Sequence, residues 1–425
     1  MYKRQFLQTL YGMADLFIIG QFDGAAGTTA VSIGSQVMHM ITVIIVGLAM
    51  GTTVSIAQAV GAKDKKQASR CTGNTITLFL GVSVVLMVIL LLLVKPIVLV
   101  MSTPSEAVSG TVAYLTICFI GIPFITAYNI ISSIFRGLGD SKSPMYFIAV
   151  ACAANIALDY LFMGALHLGP SGAALGTTLS QTLSVILALI AIRKRDTGIR
   201  LTRSDLSPQT AVMGQILKIG VPIALQDGFI QIAFIIITII ANRRGLEAAA
   251  AVGIVEKIIS FLFLIPSSML STVSALGAQN IGAGKMERVR SGFKAGLVMS
   301  VAVALVFMGA YVFRGENLLL LFMNSTSAEA IEIGKKFLLI VSLCYLFLAL
   351  KLAADGVLRG AGAMVYFMIT TFLDLILRVV LAFILVHPFG ITGIWLSWPF
   401  GWVISSTLSL AFYLFGVWNP LKKKA

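Results

Sequence analysis

Apolar runs of the length that crosses a bilayer, about 20 residues each, recur along the whole chain with only short charged loops between them. Nothing else in the sequence restricts its fold so strongly. Twelve such runs can be marked. They lie roughly at Phe6–Phe22, Val31–Val60, Asn74–Val100, Val108–Phe135, Pro144–Leu166, Gly172–Ile192, Ile216–Asn242, Ala249–Ile281, Phe293–Phe313, Ile331–Ala353, Met364–Val386 and Gly393–Tyr413. Of 425 residues, 58% are hydrophobic and 11% charged, where a soluble domain carries about 25% charged residues. Too little charge is available to clothe a water-soluble body of this size, so lipid is the solvent for most of the chain. The expected fold class is an all-α integral membrane protein with twelve transmembrane helices.

The net charge of +14 points to membrane orientation and not to nucleic acid, because the basic residues sort to one side. One set of loops carries Lys63, Lys65, Lys66, Arg70, Arg136, Lys142, Arg193, Lys194, Arg195, Arg200, Arg203, Lys218, Lys285, Arg288, Arg290, Lys294, Arg359 and Lys422–Lys424. The alternate set has only Lys95, Arg243, Arg244, Arg314, Lys335 and Lys336. By the positive-inside rule the first set is cytoplasmic, and both termini with it. The four cysteines (Cys71, Cys118, Cys152, Cys344) are scattered, with neither disulfide nor metal spacing.

The two halves repeat. Ala57-Gln58 and Gly61-Ala62 return 221 residues later as Ala278-Gln279 and Gly282-Ala283. Gly24, Ala30, Val31 and Ile33 return at the same offset as Gly245, Ala251, Val252 and Ile254, and Gly169 and Gly172 as Gly390 and Gly393. Arg136-Gly137 and Gly139 return at 223 as Arg359-Gly360 and Gly362. Six spans per half is an even number, so both copies enter from the same side. They are parallel repeats about an axis along the membrane normal, a transporter architecture whose sites lie at the repeat interface. The expected division is a six-helix bundle over 1–192, a cytoplasmic linker over 193–215 and a second, pseudo-symmetric six-helix bundle over 216–425. Pro222 maps to residue 1, yet the seventh span starts near Ile216. The native first helix is therefore expected to be longer, and the amino terminus to be truncated.

Ionisable groups inside apolar spans are rare, costly and by default functional. Burial favours the neutral form of a carboxylate, so a buried acid can take up and release a proton. With neutral oxygens beside it, the same acid can hold a hard cation such as sodium. Asp15 stands alone in Leu10–Gly20, and Asp159 shares a helix face with Asn155 four residues earlier. Thr177 or Thr178 in the next span can add a hydroxyl. In the second half, Asp227 and Gln231 share a face, and Glu256 lies beside Lys257. Asp374 and Arg378 are four apart and expected to pair, and Lys351 and Asp355 have the same spacing. Asp227, Gln231, Glu256, Asp355, Asp374 and Arg378 are the candidates for a substrate cavity. Aromatic residues such as Trp395 and Trp398 could stack on cationic ligands, although packing is the commoner role.

The strings Leu10–Gly20, Gln58–Ala62, Gln279–Ala283, Arg136–Asp140 and Asn155-x-x-x-Asp159 resemble the multidrug and toxic compound extrusion (MATE) family, across essentially the whole chain. Ala278–Lys285 and Pro222–Asp227 are most similar to its DinF-like and MepA-like bacterial branch. The resemblance implies a V-shaped transporter of two lobes in the bacterial cytoplasmic (inner) membrane. It also implies export of organic, often cationic, xenobiotics in antiport with H+ or Na+ by alternating access. In some members a first-helix aspartate joins an asparagine and an aspartate of the fifth helix and a threonine of the sixth in a cation-responsive network. The matching positions are Asp15, Asn155, Asp159 and Thr177, which are then the residues to hold Na+ if sodium is the coupling ion. The alternatives are a flippase for lipid-linked saccharide in the same superfamily, or a membrane-embedded enzyme. The acidic set favours cationic cargo over pyrophosphate. With no metal cluster and no nucleophile–base pair, the sequence reads as no enzyme. No G-x-x-x-x-G-K-[ST] string is present, so neither ATP hydrolysis nor an ATPase subunit is expected. Beyond the coupling ion no cofactor is expected. The expected partners are small organic substrates and the lipid bilayer, with the protein a monomer.

Overall fold

The computed structural model describes residues 14–194, 201–242, 246–320 and 328–420, and these contain no strand. A helix over residues 14–22 (α1) is followed by α2 (Ala25–Gly61) and α3 (Lys65–Val100). Next come α4 (Ser105–Ile120), α5 (Ile122–Gly137), α6 (Lys142–Asp159) and α7 (Gly169–Lys194). Beyond a 3-10 turn at Arg203–Leu206 lie α8 (Thr210–Asn242), α9 (Leu246–Gly282) and α10 (Met286–Leu320). The last three are α11 (Ala328–Gly360), α12 (Met364–Phe389) and α13 (Ile391–Phe415). Among the described residues nine helices are long and apolar enough to cross a membrane, or ten when α4 and α5 count as one span bent by 49°. The bend falls at Gly121, with Pro123 at the start of α5. Proline has no N–H to donate, and its ring favours a helix start. The two remaining expected spans correspond to α1 and α9. The expectation of a missing first turn falls on residues 1–13, outside the described residues.

The chain divides into two compact units, Met1–Ala224 and Leu225–Ala425. In the first, α2 is far more enclosed than α3: two thirds (67%) of its most apolar window is buried, against 11% for α3. Its sequence explains this. Gly47–Ala59 is mostly Gly, Ala, Ser and Thr, and small residues let helices approach without lipid between them. Thr53 Oγ1 donates to Ser133 O of α5 at 3.1 Å, and Thr52 and Thr75 hydroxyls meet at 3.2 Å. The 3-10 turn is strapped to α3. Asn74 Nδ2 donates to Asp205 O (3.2 Å), its Oδ1 accepts from Gln209 N (2.7 Å), and Thr77 Oγ1 donates to Leu206 O (2.7 Å). Within the turn, the Thr202 hydroxyl and then its amide hold the Asp205 carboxyl below the usual aspartate range. The second unit has an aromatic core, in which the Phe337 and Trp395 rings stack 3.9 Å apart and Trp398 and Trp402 meet edge to face.

The repeat is visible in the backbone. After α2, Lys63 (φ 58) donates to Val60 O and Asp64 to Ala59 O. After α9, Gly284 (φ 70) donates to Ile281 O and Lys285 to Asn280 O, each 221 residues on. After α5 and α11, Gly139 (φ 92) and Gly362 (φ 70) close on Arg136 O and Arg359 O. Both helix ends are left-handed C-terminal caps, built at equivalent places in both units.

Candidate functional site

Three helices of the first unit bring the expected quartet together. α1 supplies Asp15, α6 supplies Asn155 and Asp159 on one face, and α7 supplies Thr177. Asp15 is 2% exposed, and Asn155 and Asp159 are fully buried. Thr177 Oγ1 donates to Asp15 Oδ2 at 3.2 Å. Of the two threonines the sequence left open, Thr177 makes the contact; Thr178 turns its side chain toward Gly121 instead. The Asp15 carboxyl also feels the Asp159 carboxyl and the Asn155 amide. Asp15 Oδ1, both Asp159 carboxyl oxygens and both Asn155 amide atoms are buried without a regular hydrogen bond. Buried polar atoms in native folds almost always have a partner, so these five atoms leave the quartet with donor and acceptor capacity that its own side chains do not use.

Two further features shape this place, and the sequence reading passed over both. Gly176 precedes Thr177 on α7, and a Cβ there would collide with Asp159 Oδ1 and come within 3.5 Å of Asn155 Nδ2. A glycine well inside a helical run is the signal that could have found it. α6 also changes at Asp159 from α-helix to a π-helical turn, Tyr160–Ala165. Such turns collect at functional sites because they re-aim side chains. No group of three or more His, Cys, Asp or Glu with metal-site geometry occurs among the described residues. The donor set here, two carboxylates with an amide and a hydroxyl, is nevertheless all oxygen apart from the amide nitrogen, and suits a proton or a hard monovalent cation.

The second-unit candidates stand differently. Asp374 and Arg378 are paired as expected, Arg378 Nη2 lying 3.1 Å from Asp374 Oδ2. The Arg378 guanidinium also lies over the Trp398 ring, 4.5 Å from its centroid. Asp355 is fully buried and saturated: Lys351 Nζ lies 2.6 Å from Oδ2, and Oδ1 accepts from Ser409 (2.7 Å) and Thr370 (3.3 Å). Asp227 and Gln231 are half-buried on one face of α8, and Arg359 is the base that acts on Asp227. Glu256 lies on α9, but its side chain is outside the described ones. Trp395 and Trp398 are fully buried in the aromatic core. A mostly apolar cavity of about 390 Å³ lies apart from these groups, between α3, α5 and α7.

A family model described as MatE matches twice, over residues 3–161 and 222–384. The chain is similar to the probable multidrug resistance proteins YoeA of Bacillus subtilis and NorM of Thermotoga maritima. It is 27% identical to the first over 97% of this chain and 91% of that protein, and 28% identical to the second over 97% and 90%. It is 25% identical to the multidrug export protein MepA of Staphylococcus aureus, over 91% of this chain and 85% of that one. Among solved structures, a MATE protein in the bent conformation matches with a TM-score of 0.93 at 23% identity, covering 100% of this chain and 94% of that one. An outward-facing multidrug resistance MATE family transporter matches with 0.91 at 24% identity, again over 100% and 94%.

Proposed function

The chain belongs to the MatE family, and from that premise we propose that it is a secondary active multidrug efflux transporter coupled to ion entry through Asp15, Asn155, Asp159 and Thr177. It is a multi-pass integral membrane protein and a transporter, not an enzyme. The cargo is small organic molecules, cationic ones above all. The ion is H+ or Na+, and it exchanges across the cytoplasmic membrane with both termini inside. One observation carries the coupling assignment: two buried acids share a site with no base acting on either. Two bare carboxylates cannot both stay charged in a dry interior, so a proton or a small cation belongs there in at least one state of the transport cycle. Coupling requires that ion and cargo favour different conformations. A site in which Asp159 and Asn155 make no regular side-chain hydrogen bond is well suited to change occupancy between them. Asp227 and Gln231, half-buried on α8, are the second-unit groups assigned to cargo. Asp355, Asp374 and Arg378 are committed to ion pairs. The saccharide-flippase alternative has no supporting observation, since the curated relatives carry multidrug names.

The test is efflux of a fluorescent organic cation from energised vesicles, with the proton and sodium gradients collapsed in turn. Collapse of one gradient is expected to stop export. Asp15→Asn is expected to abolish gradient-driven export while the protein still inserts in the membrane. Export that ignores both gradients, or that survives Asp15→Asn at wild-type rate, would reject the reading.

A further inference from the structure

The repeat gives each member of the quartet a counterpart in the second unit. The offset is 223 from Arg136-Gly137 and Gly139 to Arg359-Gly360 and Gly362. Asn155 therefore falls on Arg378, and Asp159 on Ala382. Beyond Gly169 and Gly390 the offset is 221, which places Trp398 opposite Thr177. Ahead of Gly24 and Gly245 the same offset places Ile236 opposite Asp15. The counterparts also meet in space: Ala382 and Trp398 belong to one buried cluster, Ile236 packs against it, and Arg378 lies over Trp398. The place that holds two acids and no base in the first unit holds a base on an aromatic ring in the second.

The same contrast extends to the other intramembrane acids. Asp374 has Arg378 four residues on, and Asp355 has Lys351 four residues back. Asp227 feels the charge of Arg359, which is felt by Asp355 as well, without an ion-pair contact of the kind the other two acids make. Among the described side chains, each acid inside the second unit's spans has a base, whereas Asp15 and Asp159 have only each other, an amide and a hydroxyl. A base four residues away on the same helix is held beside its acid by the backbone, at an effective concentration that a free ion must overcome. Displacing it would also leave an unpaired ammonium or guanidinium in a dry interior.

We propose that the second unit is a pre-loaded half, in which Lys351 and Arg378 are tethered cations standing where a free coupling ion would bind. The chain is then driven through the Asp15–Asp159 set alone, with one ion site per molecule. Asp355 with Ser409 and Thr370 is an oxygen site of the same kind as the first unit's, occupied by an ammonium carried on its own helix. The inference rests on the antiport reading but fails separately from it.

The test uses full-length protein in which Asp15→Asn and Asp159→Asn have silenced the first site. Its thermal midpoint is measured against sodium at fixed pH, and against pH at fixed sodium. Adding Lys351→Met is expected to create a new rise of the midpoint with sodium or with protonation. Adding Asp355→Asn as well should remove that rise, and Lys351→Arg in place of Lys351→Met should not create it. A folded Lys351→Met protein with no new ion dependence overturns the proposal. As a second measurement, Asp374→Leu/Arg378→Met in the otherwise native chain removes one pair entirely. Its efflux is expected to keep the native ion requirement, and a folded variant that loses that requirement overturns the proposal too. Failure of the antiport reading has a different signature, namely native efflux indifferent to both gradients and to Asp15→Asn.

Discussion

Gly176 shows how much of the site depends on the absence of one carbon. The Asp159 carboxyl occupies the space that a Cβ on α7 would fill. In Gly176→Ala the helix can stay where it is, because the obstructing atom is the end of a side chain that can turn. The expected outcome is therefore a protein that folds with a near-native melting midpoint but has lost the arrangement of Asp159 and Asn155. We expect gradient-driven efflux to fall by about tenfold or more, the scale on which ångström-sized displacement of a functional group acts. The measurement is vesicle efflux beside thermal unfolding. A tenfold loss accompanied by unfolding would mean that Gly176 serves packing alone. The sequence showed which acids lie in apolar spans, but it did not mark Gly176 as their neighbour, since that contact joins α6 to α7 through space.

At the scale of elements, the strap on α3 is the clearest device. Asn74 is fully buried and spends both ends of its amide on the linker, donating to Asp205 O and accepting from Gln209 N. Asn74→Ala leaves those two backbone groups without partners, at a cost of about 1–3 kcal/mol for each buried group left unsatisfied. Faster amide exchange at residues 202–209 is the expected result, with exchange along α2 unchanged. Uniform acceleration through the first unit would mean that Asn74 supports the whole bundle. Apolar runs located this linker by exclusion, but its docking could not be foreseen, because Asn74 sits at the edge of a span where a solvated polar residue is ordinary.

For the whole molecule, the parallel repeat makes a topological prediction. Lys63 and Gly284 occupy the same cap position in the two units, and Lys285 follows directly. Single cysteines introduced at Lys63 and Lys285, in a background without the four native cysteines, should both react with an impermeant thiol reagent from the cytoplasmic side and with none from outside. Labelling from opposite sides would mean inverted repeats and would undo the orientation drawn from lysine and arginine. The turns after α2 and α9, and those after α5 and α11, share their hydrogen bonds residue for residue, so the repeat read from a few glycines and glutamines extends to backbone geometry.

The sequence alone determined the membrane class, the helical spans, the repeat and which acids lie within the spans. All of these follow from hydrophobicity and spacing along the chain, which are local. It also determined the Asp374–Arg378 pair, because residues four apart on a helix are neighbours whatever surrounds them. Only the tertiary structure decided which acids lack a base. Asp15 meets Thr177 across 162 residues, and Asp355 receives Ser409 across 54. Whether a buried charge is satisfied depends on what neighbouring helices bring to it. That is set by packing in three dimensions, and here it separates acids that have a base in one unit from acids that have none in the other.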